Sequence, residues 1–189
     1  MIVEAQRRVA VLAVDASPTR GGRTRAALDA VSSAAAQAGA VVETIGLGDQ
    51  DGGLQPVLSA LASAEAVVLA SPVYRASFAA PLKQLLDAVP REGPPSLRSP
   101  LRAKAIAVVY SGASLHHFLA LDSLRGILAG FFAAHVVPPG LYVPGEAFDE
   151  ELALREPYAE HARLQGTALV AFARVLRDSP VLTALRPQA

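Results

Sequence analysis

The sequence of 189 residues contains no cysteine, no tryptophan and a single methionine. Without cysteine, thiol catalysis, iron–sulfur ligation and disulfide bonds are excluded. Charge of either sign is not in excess, because 17 lysines and arginines balance 17 aspartates and glutamates. A neutral chain of this kind offers no basic surface for a nucleic-acid partner.

Long hydrophobic runs are also missing. The apolar stretch at residues 115–137 is interrupted by histidines and charged residues, so no membrane partner is predicted. The segment MIVEAQRR at the beginning is charged before it is apolar, unlike a signal peptide, and we therefore predict a cytoplasmic protein. The length and the 52% of hydrophobic residues predict a single domain over residues 1–189, with its core from about residue 8 to 178 and a loose C-terminal tail.

What the chain does contain is an alternation of short apolar runs with helical patterns. Five strands are predicted, the last one irregular because of two prolines and a glycine: residues 9–14, 41–47, 66–70, 105–110 and 136–143. Between and after them, apolar spacing predicts helices at residues 27–38, 56–62, 81–89 and 115–133, and from about 149 or 157 to 178. Parallel neighbours require crossover connections, so this order predicts an α/β protein with helices on both faces of a parallel sheet.

Three loops that directly follow strands have ligand-binding character. They are residues 15–24 (DASPTRGGRT), 71–78 (SPVYRASF) and 111–114 (SGAS). The first loop enters a helix whose free N–H groups and positive dipole suit a phosphate, although an ordinary connection capped by Thr24 would have the same composition. Because the carboxyl ends of parallel strands share one edge, the loops are expected to form one mononucleotide site, with phosphate on the first loop and a planar ring between the others.

Single residues near these loops leave two interpretations open. Tyr74 at a strand end favours contact with a ligand over packing in the core. Arg75 fits a ligand contact or a solvated surface position equally well. The adjacent pair His116 and His117 predicts no metal site, because neighbours in a helix point to different faces and no carboxylate follows at a helical spacing.

Three motifs, ASPTRGGRT, ASPVYRASFAAPLKQLLDAVP and YSGASLHHFLALDSLRGIL, carry a family resemblance that spans most of the chain. The chain resembles the NADPH-dependent FMN reductases, and most closely the subgroup that feeds reduced flavin to alkanesulfonate-type monooxygenases. The resemblance implies a flavodoxin-like fold: a doubly wound, five-stranded parallel sheet in the order 2-1-3-4-5. It also implies that the cofactors are FMN and NADPH, with NADH as an alternative hydride donor.

The same resemblance assigns roles to residues of the three loops. The FMN phosphate would be held by Ser17, Arg23 and Thr24. The flavin ring would be lined by Pro72, Val73, Tyr74, Arg75 and Ser77, and closed on its other side by Ser111, Gly112 and Ser114. No catalytic side chain is implied, since stacking the nicotinamide on the flavin is sufficient for hydride transfer.

The implied activity is that of an NAD(P)H:flavin oxidoreductase, which passes a hydride from nicotinamide to flavin N5 and supplies reduced flavin to a monooxygenase. Two alternatives are an FMN-binding electron carrier and an FMN-containing reductase of quinones, azo dyes or metal oxyanions. The apolar helix at residues 115–133 also predicts a homodimer or homotetramer.

The chain departs from the family pattern in the first and third loops. Ala16 and Ala113 stand where the family usually has glycine, and the added methyl groups are expected to change how closely the backbone approaches the ligand. Close relatives also carry an extra tyrosine after the residue that corresponds to Asp122, and this chain lacks it.

Overall fold

The computed structural model describes residues 7–49, 53–91 and 98–187. Its strands are β1 (Val9–Asp15), β2 (Ala40–Gly46), β3 (Ala66–Tyr74), β4 (Ser77–Phe78), β5 (Ala105–Gly112), β6 (His135–Val136) and β7 (Leu141–Pro144). Its helices are α1 (Arg23–Gln37), α2 (Gln55–Ser63), α3 (Ala80–Ala88), α4 (Ala120–Phe132), α5 (Tyr158–Arg177) and α6 (Pro180–Ala184).

The central sheet is parallel and runs in the order β2-β1-β3-β5, with β6 and β7 both paired to the outer edge of β5. Two pieces therefore share the fifth position, because Pro138 and Pro139 between them have no N–H to donate to the ladder. Counted by position, the order is 2-1-3-4-5. The flavodoxin-like fold predicted from the sequence is thus confirmed.

Both faces of the sheet are covered, which explains why the central strands are apolar throughout. Alternate side chains of β1 point to opposite faces: Val11 packs in one buried cluster with α1 and α5, and Leu12 packs in a second with α2, α3 and α4. The predicted apolar stripe of α3 lies in that second cluster through Leu82, Leu85 and Leu86. These layers hold the ends of β1, β3 and β5 in fixed positions.

Two element boundaries differ from the prediction. The helix expected from residue 115 begins at Ala120, and Leu115–His117 forms a separate 3-10 turn. The last helix begins at Tyr158, the later of the two predicted starts. The prolines, glycine and charged residues of 91–102 predict a surface connection, and residues 92–97 of this stretch lie outside the described residues.

Part of the tail that was predicted to be loose, residues 180–187, is bonded to the rest of the domain, although no residue of α6 is buried. Residues Pro180–Ala184 form α6. Arg102 Nε donates to the carbonyl oxygen of Leu185 at 3.0 Å, and His135 Nε2 lies 3.0 Å from the carbonyl oxygen of Leu182. The partners come from distant parts of the chain, so the composition of the tail did not reveal them.

Among the described residues, no helix has the length and apolarity needed to cross a membrane.

Candidate active site

The three predicted loops meet at the carboxyl edge of the sheet. Strand register places them side by side: Asp15 at the end of β1 lies opposite Ala70, and Pro72 in β3 lies opposite Ser111 in β5. On its other side Ser111 faces Val143 of β7. The turn after β7 is therefore a fourth neighbour of the site.

The first loop ends at the N-terminus of α1, where backbone donors are available. The N-cap residue is Gly22, which has no side chain to cap the helix, and the first turn contains no acidic residue. Backbone N–H groups of an uncapped first turn, together with the helix dipole, attract an anion. Nearby, the hydroxyl-bearing Ser17 is buried, and its N–H donates to Asp15 Oδ1 at 2.9 Å.

A cavity of about 270 Å³ opens beside this loop. Its lining includes Ser17, Thr19, Gly21 and the cationic side chains Arg20 and Arg25. Hydroxyls, guanidinium groups and backbone N–H groups are the donors that bind phosphate in proteins. The donor set present at the start of α1 therefore fits a phosphate group.

Thr24, in the first turn of α1, connects the first loop to the third. Its Oγ1 lies 2.6 Å from Ser111 Oγ, and both residues are almost fully buried. The predicted phosphate side and the predicted ring side are thus joined by a direct hydrogen bond between two side chains.

Arg23 points toward the turn after β7. Its guanidinium carbon lies 6.0 Å from the centre of the Phe148 ring, and its Nη1 is 3.1 Å from the place that a Cβ on Gly145 would occupy. Arg23 is also exposed and does not line the 270 Å³ cavity. Its assignment to the phosphate stays a prediction.

The second loop is a tight hairpin that was not predicted. β4 pairs antiparallel with the end of β3, with Tyr74 opposite Ser77, so only Arg75 and Ala76 form the turn. Both have left-handed backbone angles, with φ of 51° and 61°. This conformation costs a non-glycine residue about 1–2 kcal/mol, and such strain is concentrated at functional sites.

Buried hydrogen bonds fix the base of this hairpin. Ser71 Oγ donates to the carbonyl oxygen of Pro72 at 2.9 Å and accepts the N–H of Ala79 at 2.8 Å. By contrast, the side chain of Tyr74 is 54% exposed, which excludes the core-packing interpretation. A rigid base thus presents Tyr74 and the exposed Arg75 to solvent at the edge of the site.

The third loop is held by Tyr142 of β7, a residue that the sequence did not indicate. Tyr142 Oη donates to the carbonyl oxygen of Ser114 at 2.6 Å. The hydroxyl lies 2.0 Å from the place that a Cβ on residue 112 would occupy, so only glycine fits there. Burial raises the pKa of Tyr142, and nearby Glu146 and Tyr158 add to the effect. Tyr142 is therefore a neutral hydrogen-bond donor at neutral pH.

Comparison with known proteins assigns the chain to a family. Residues 9–149 match the model of the NADPH-dependent FMN reductase family. The chain belongs to this family. The resemblance carried by the three sequence motifs is thereby confirmed.

Two relatives illustrate the range of the family. The chain is 37% identical over 97 residues to NADH-dependent FMN reductase SfnF of Pseudomonas putida, covering 51% of this chain and 48% of that protein. It is 32% identical over 111 residues to an FMN reductase (NADPH) of Pseudomonas aeruginosa, covering 59% and 56%. The matches thus span about half the length of these curated relatives.

A solved structure supports the fold over a longer span. An NADH:FMN oxidoreductase (EmoB) in its apo form superposes with a TM-score of 0.74 at 23% identity, covering 93% of this chain and 94% of that one. At this identity the likeness establishes the fold and not the activity.

The two alanines that stand where FMN reductases usually have glycine, Ala16 and Ala113, lie in different surroundings. The side chain of Ala16 is fully buried in the core cluster with Leu12, so its extra methyl group lies away from the loop surface. Ala113 is exposed, and its carbonyl oxygen lies 3.2 Å from the place that a Cβ on Gly145 would occupy. The backbone of the third loop therefore rests directly on the turn after β7.

The eleven residues that the FMN reductase resemblance selected all lie at this edge, with graded exposure. Ser17, Thr24, Pro72 and Ser111 are buried, whereas Val73, Ser77, Gly112 and Ser114 are half-buried and Arg23, Tyr74 and Arg75 are exposed. The structure brings all three loops together. Tyr142 and Gly145 are the contributors that were missed, because their roles depend on contacts between residues about 30 positions apart.

Proposed function

We propose that this protein is an NAD(P)H-dependent FMN reductase. The observation that carries the proposal is the uncapped N-terminus of α1, with the Ser17 and Thr24 hydroxyls beside it, at the edge where a strained hairpin and a tightly held third loop stand opposite each other. Phosphate donors at the carboxyl edge of a doubly wound sheet fit a flavin mononucleotide.

In this proposal the first loop binds the FMN phosphate through Ser17, Arg23 and Thr24. The hairpin lines one side of the flavin with Pro72, Val73, Tyr74, Arg75 and Ser77, and the third loop lines the other side with Ser111, Gly112 and Ser114. Bound FMN would supply the redox chemistry, by accepting at N5 a hydride from the nicotinamide of NAD(P)H.

The contribution of the protein is to hold two rings in contact, which is catalysis by proximity. The hydrogen bonds of Ser71 and Tyr142 fix the two walls, so neither wall needs to reorganise when the ligand enters. No side chain has to act as an acid, a base or a nucleophile in such a transfer. The exposed Tyr74 and Arg75 lie where an incoming nicotinamide nucleotide would be contacted first.

We propose NADPH as the hydride donor, with NADH as an alternative. One relative is named for NADH and the other for NADPH, which supports use of either coenzyme. A flavin-dependent monooxygenase as the recipient of the reduced flavin follows from the subgroup resemblance. The cytoplasmic location and the single domain over residues 1–189 stay predictions.

We also propose that a second copy of the chain covers the apolar surface next to the site, giving a homodimer or homotetramer. Leu115, Phe118 and Leu119 lie directly after the third loop, and each is more than half exposed. Contiguous exposed apolar side chains of this kind are typical of an interface. Sedimentation of the purified protein would test this association, and a monomer at micromolar concentration would contradict it.

The reductase proposal is tested by measuring NADPH oxidation with and without added FMN. We expect the protein to bind FMN, to quench its fluorescence, and to oxidise NADPH only when flavin is present. A preparation that binds FMN but does not oxidise NADPH or NADH would favour an electron carrier. A folded protein that neither binds FMN nor oxidises NADPH in its presence would contradict the proposal.

A further inference from the structure

The hydrogen bond between Thr24 and Ser111 joins two parts of the site that bind chemically different groups. The two hydroxyl oxygens are 2.6 Å apart, although their residues are separated by 87 positions in sequence. Thr24 is 3% exposed and Ser111 is 6% exposed, so water has little access to either. Each hydroxyl therefore depends on its few protein and ligand partners.

The pair can be polarised in either direction. A hydroxyl carries one proton and can accept as well as donate, and either oxygen of this pair can be the donor. A phosphate dianion only accepts. If Thr24 donates its proton to a phosphate at the start of α1, the hydrogen bond to Ser111 must be donated by Ser111. Ser111 then presents only lone pairs to a ring beside it.

We propose that the Thr24–Ser111 pair couples the phosphate subsite to the ring subsite and makes the site specific for phosphorylated flavin. The inference rests on the proposed flavin binding. When a phosphate occupies its subsite, Ser111 can only accept a hydrogen bond from the flavin ring. With riboflavin, which has no phosphate, the Ser111 hydroxyl can either donate or accept. Ser111 is thus a specificity-determining residue that acts through Thr24 and makes no phosphate contact of its own.

A purely structural tie between α1 and β5 would behave differently. Removing either hydroxyl would then lower the melting temperature of the protein and weaken the binding of every flavin to the same extent. Coupling through the phosphate instead predicts that the interaction between the two residues depends on which flavin is bound. A double-mutant cycle measured with two flavins separates these cases.

The experiment uses Thr24→Val, Ser111→Ala and the double variant, with dissociation constants for FMN and riboflavin from flavin fluorescence quenching. For FMN, we expect the double variant to bind about ten-fold better than the product of the single losses predicts, because hydrogen bonds to charged groups are strong. For riboflavin, the losses should multiply to within about two-fold. Melting temperatures of the flavin-free proteins establish that each variant is folded.

A matched control is Ser114→Ala combined with Thr24→Val. Ser114 lies in the same loop, but its Oγ is bonded to His116 Nδ1 at 3.1 Å. The fold increases in dissociation constant caused by Ser114→Ala and Thr24→Val should therefore multiply in the double variant, for both FMN and riboflavin. Equal coupling of Thr24 and Ser111 for FMN and riboflavin, or no coupling for FMN, would overturn the inference. If the wild type binds no flavin, the proposed function itself fails.

Discussion

The two edges of the sheet satisfy helix ends in opposite ways. At the amino edge, three helix C-termini are closed by cationic side chains. Arg174 Nη2 donates to the carbonyl oxygen of Ala38 after α1 at 2.9 Å, and Arg102 donates to the last carbonyls of α6. Lys104 Nζ donates to the carbonyls of Leu61, Ala62 and Ala64 at the end of α2. A cation at a helix C-terminus also complements its dipole.

At the carboxyl edge, α1, α3 and α4 begin without a hydrogen bond from an N-cap side chain. The N-cap residues of α1, α3 and α4 are Gly22, Ala79 and Leu119, none of which has a polar side chain. The first N–H groups of a helix lack partners within the helix. The start of α1 thus offers backbone donors at the carboxyl edge, whereas cationic side chains neutralise helix carbonyls at the amino edge.

Cavity size alone does not identify the site, because the two edges differ in their chemistry. A larger cavity, of about 430 Å³, lies at the amino edge and is lined by Arg102, Lys104, Arg177 and Glu65 among others. Its cations are engaged: Lys104 by helix carbonyls, and Arg177 by Glu65 at 2.9 Å. The smaller cavity lies at the carboxyl edge beside the first turn of α1, which has no side-chain cap, and ligands of doubly wound sheets bind at that edge.

The largest effect is expected from Gly112→Ala at the carboxyl edge. The new methyl group would meet Tyr142 Oη at 2.0 Å and displace the third loop. We expect the dissociation constant for FMN to rise about 30-fold, equivalent to ~2 kcal/mol. Adding Tyr142→Phe should recover part of the loss, because it removes the clashing oxygen.

Gly126→Ala in α4 is the matched control, since no atom lies within 4 Å of the added carbon. It should leave FMN binding unchanged and raise the unfolding free energy by about 0.5–1 kcal/mol. Wild-type FMN affinity in Gly112→Ala would show that the third loop does not line the flavin site.

A smaller effect, confined to stability, is expected from Lys104→Met at the amino edge. The variant leaves the last carbonyls of α2 without their donor, so the unfolding free energy should fall by about 2 kcal/mol in urea denaturation. The dissociation constant for FMN should not change, because Lys104 and Gly112 are eight residues apart along β5, roughly 26 Å. A reduced affinity of the folded variant for FMN would show that the amino edge also contributes to flavin binding.

Lys83→Met provides the comparison for loss of a lysine in general. Lys83 is exposed and pairs with Asp87 at 2.6 Å within α3. Exposed pairs of this kind contribute little, so the unfolding free energy should change by less than about 0.5 kcal/mol.

A further effect at the amino edge is a dependence of the unfolding free energy on pH. Burial lowers the pKa of Lys104 from 10.5 to about 8, although nearby Glu65 partly opposes the shift. Between these two values the unfolded chain binds more protons at this group than the folded chain. The unfolding free energy of the wild type relative to Lys104→Met should therefore rise as pH increases from about 8 to 10.5. A difference that stays constant across urea titrations in this range would contradict the assignment.

Most of the fold could be predicted from the sequence because its signals are local. Continuous apolar runs marked all the central strands, and the pair Pro138 and Pro139 marked the irregular fifth one. The hairpin at Arg75 and Ala76 was missed, since a two-residue turn with positive φ normally carries Asn-Gly or Asp-Gly. Arg-Ala gives no such signal.

The three loops of the candidate site could be predicted from the sequence, but the residues that hold the third loop in place could not. Hydroxyls, glycines and arginines after strands pointed to the three loops directly. Tyr142 and Gly145 looked like an ordinary strand aromatic and a turn glycine. Their importance depends on which backbone atoms they approach, which a single sequence does not encode locally.

We propose above that the N-terminus of α1 holds the phosphate of a flavin mononucleotide. The most direct test is the affinity of the Arg23→Ala/Thr24→Ala variant for FMN and for riboflavin, which differ by the phosphate alone. FMN binding is predicted to weaken at least about ten-fold, as for the loss of hydrogen bonds to a charged group, while riboflavin binding changes by less than about three-fold. Equal losses for the two flavins would show that the N-terminus of α1 does not bind the phosphate.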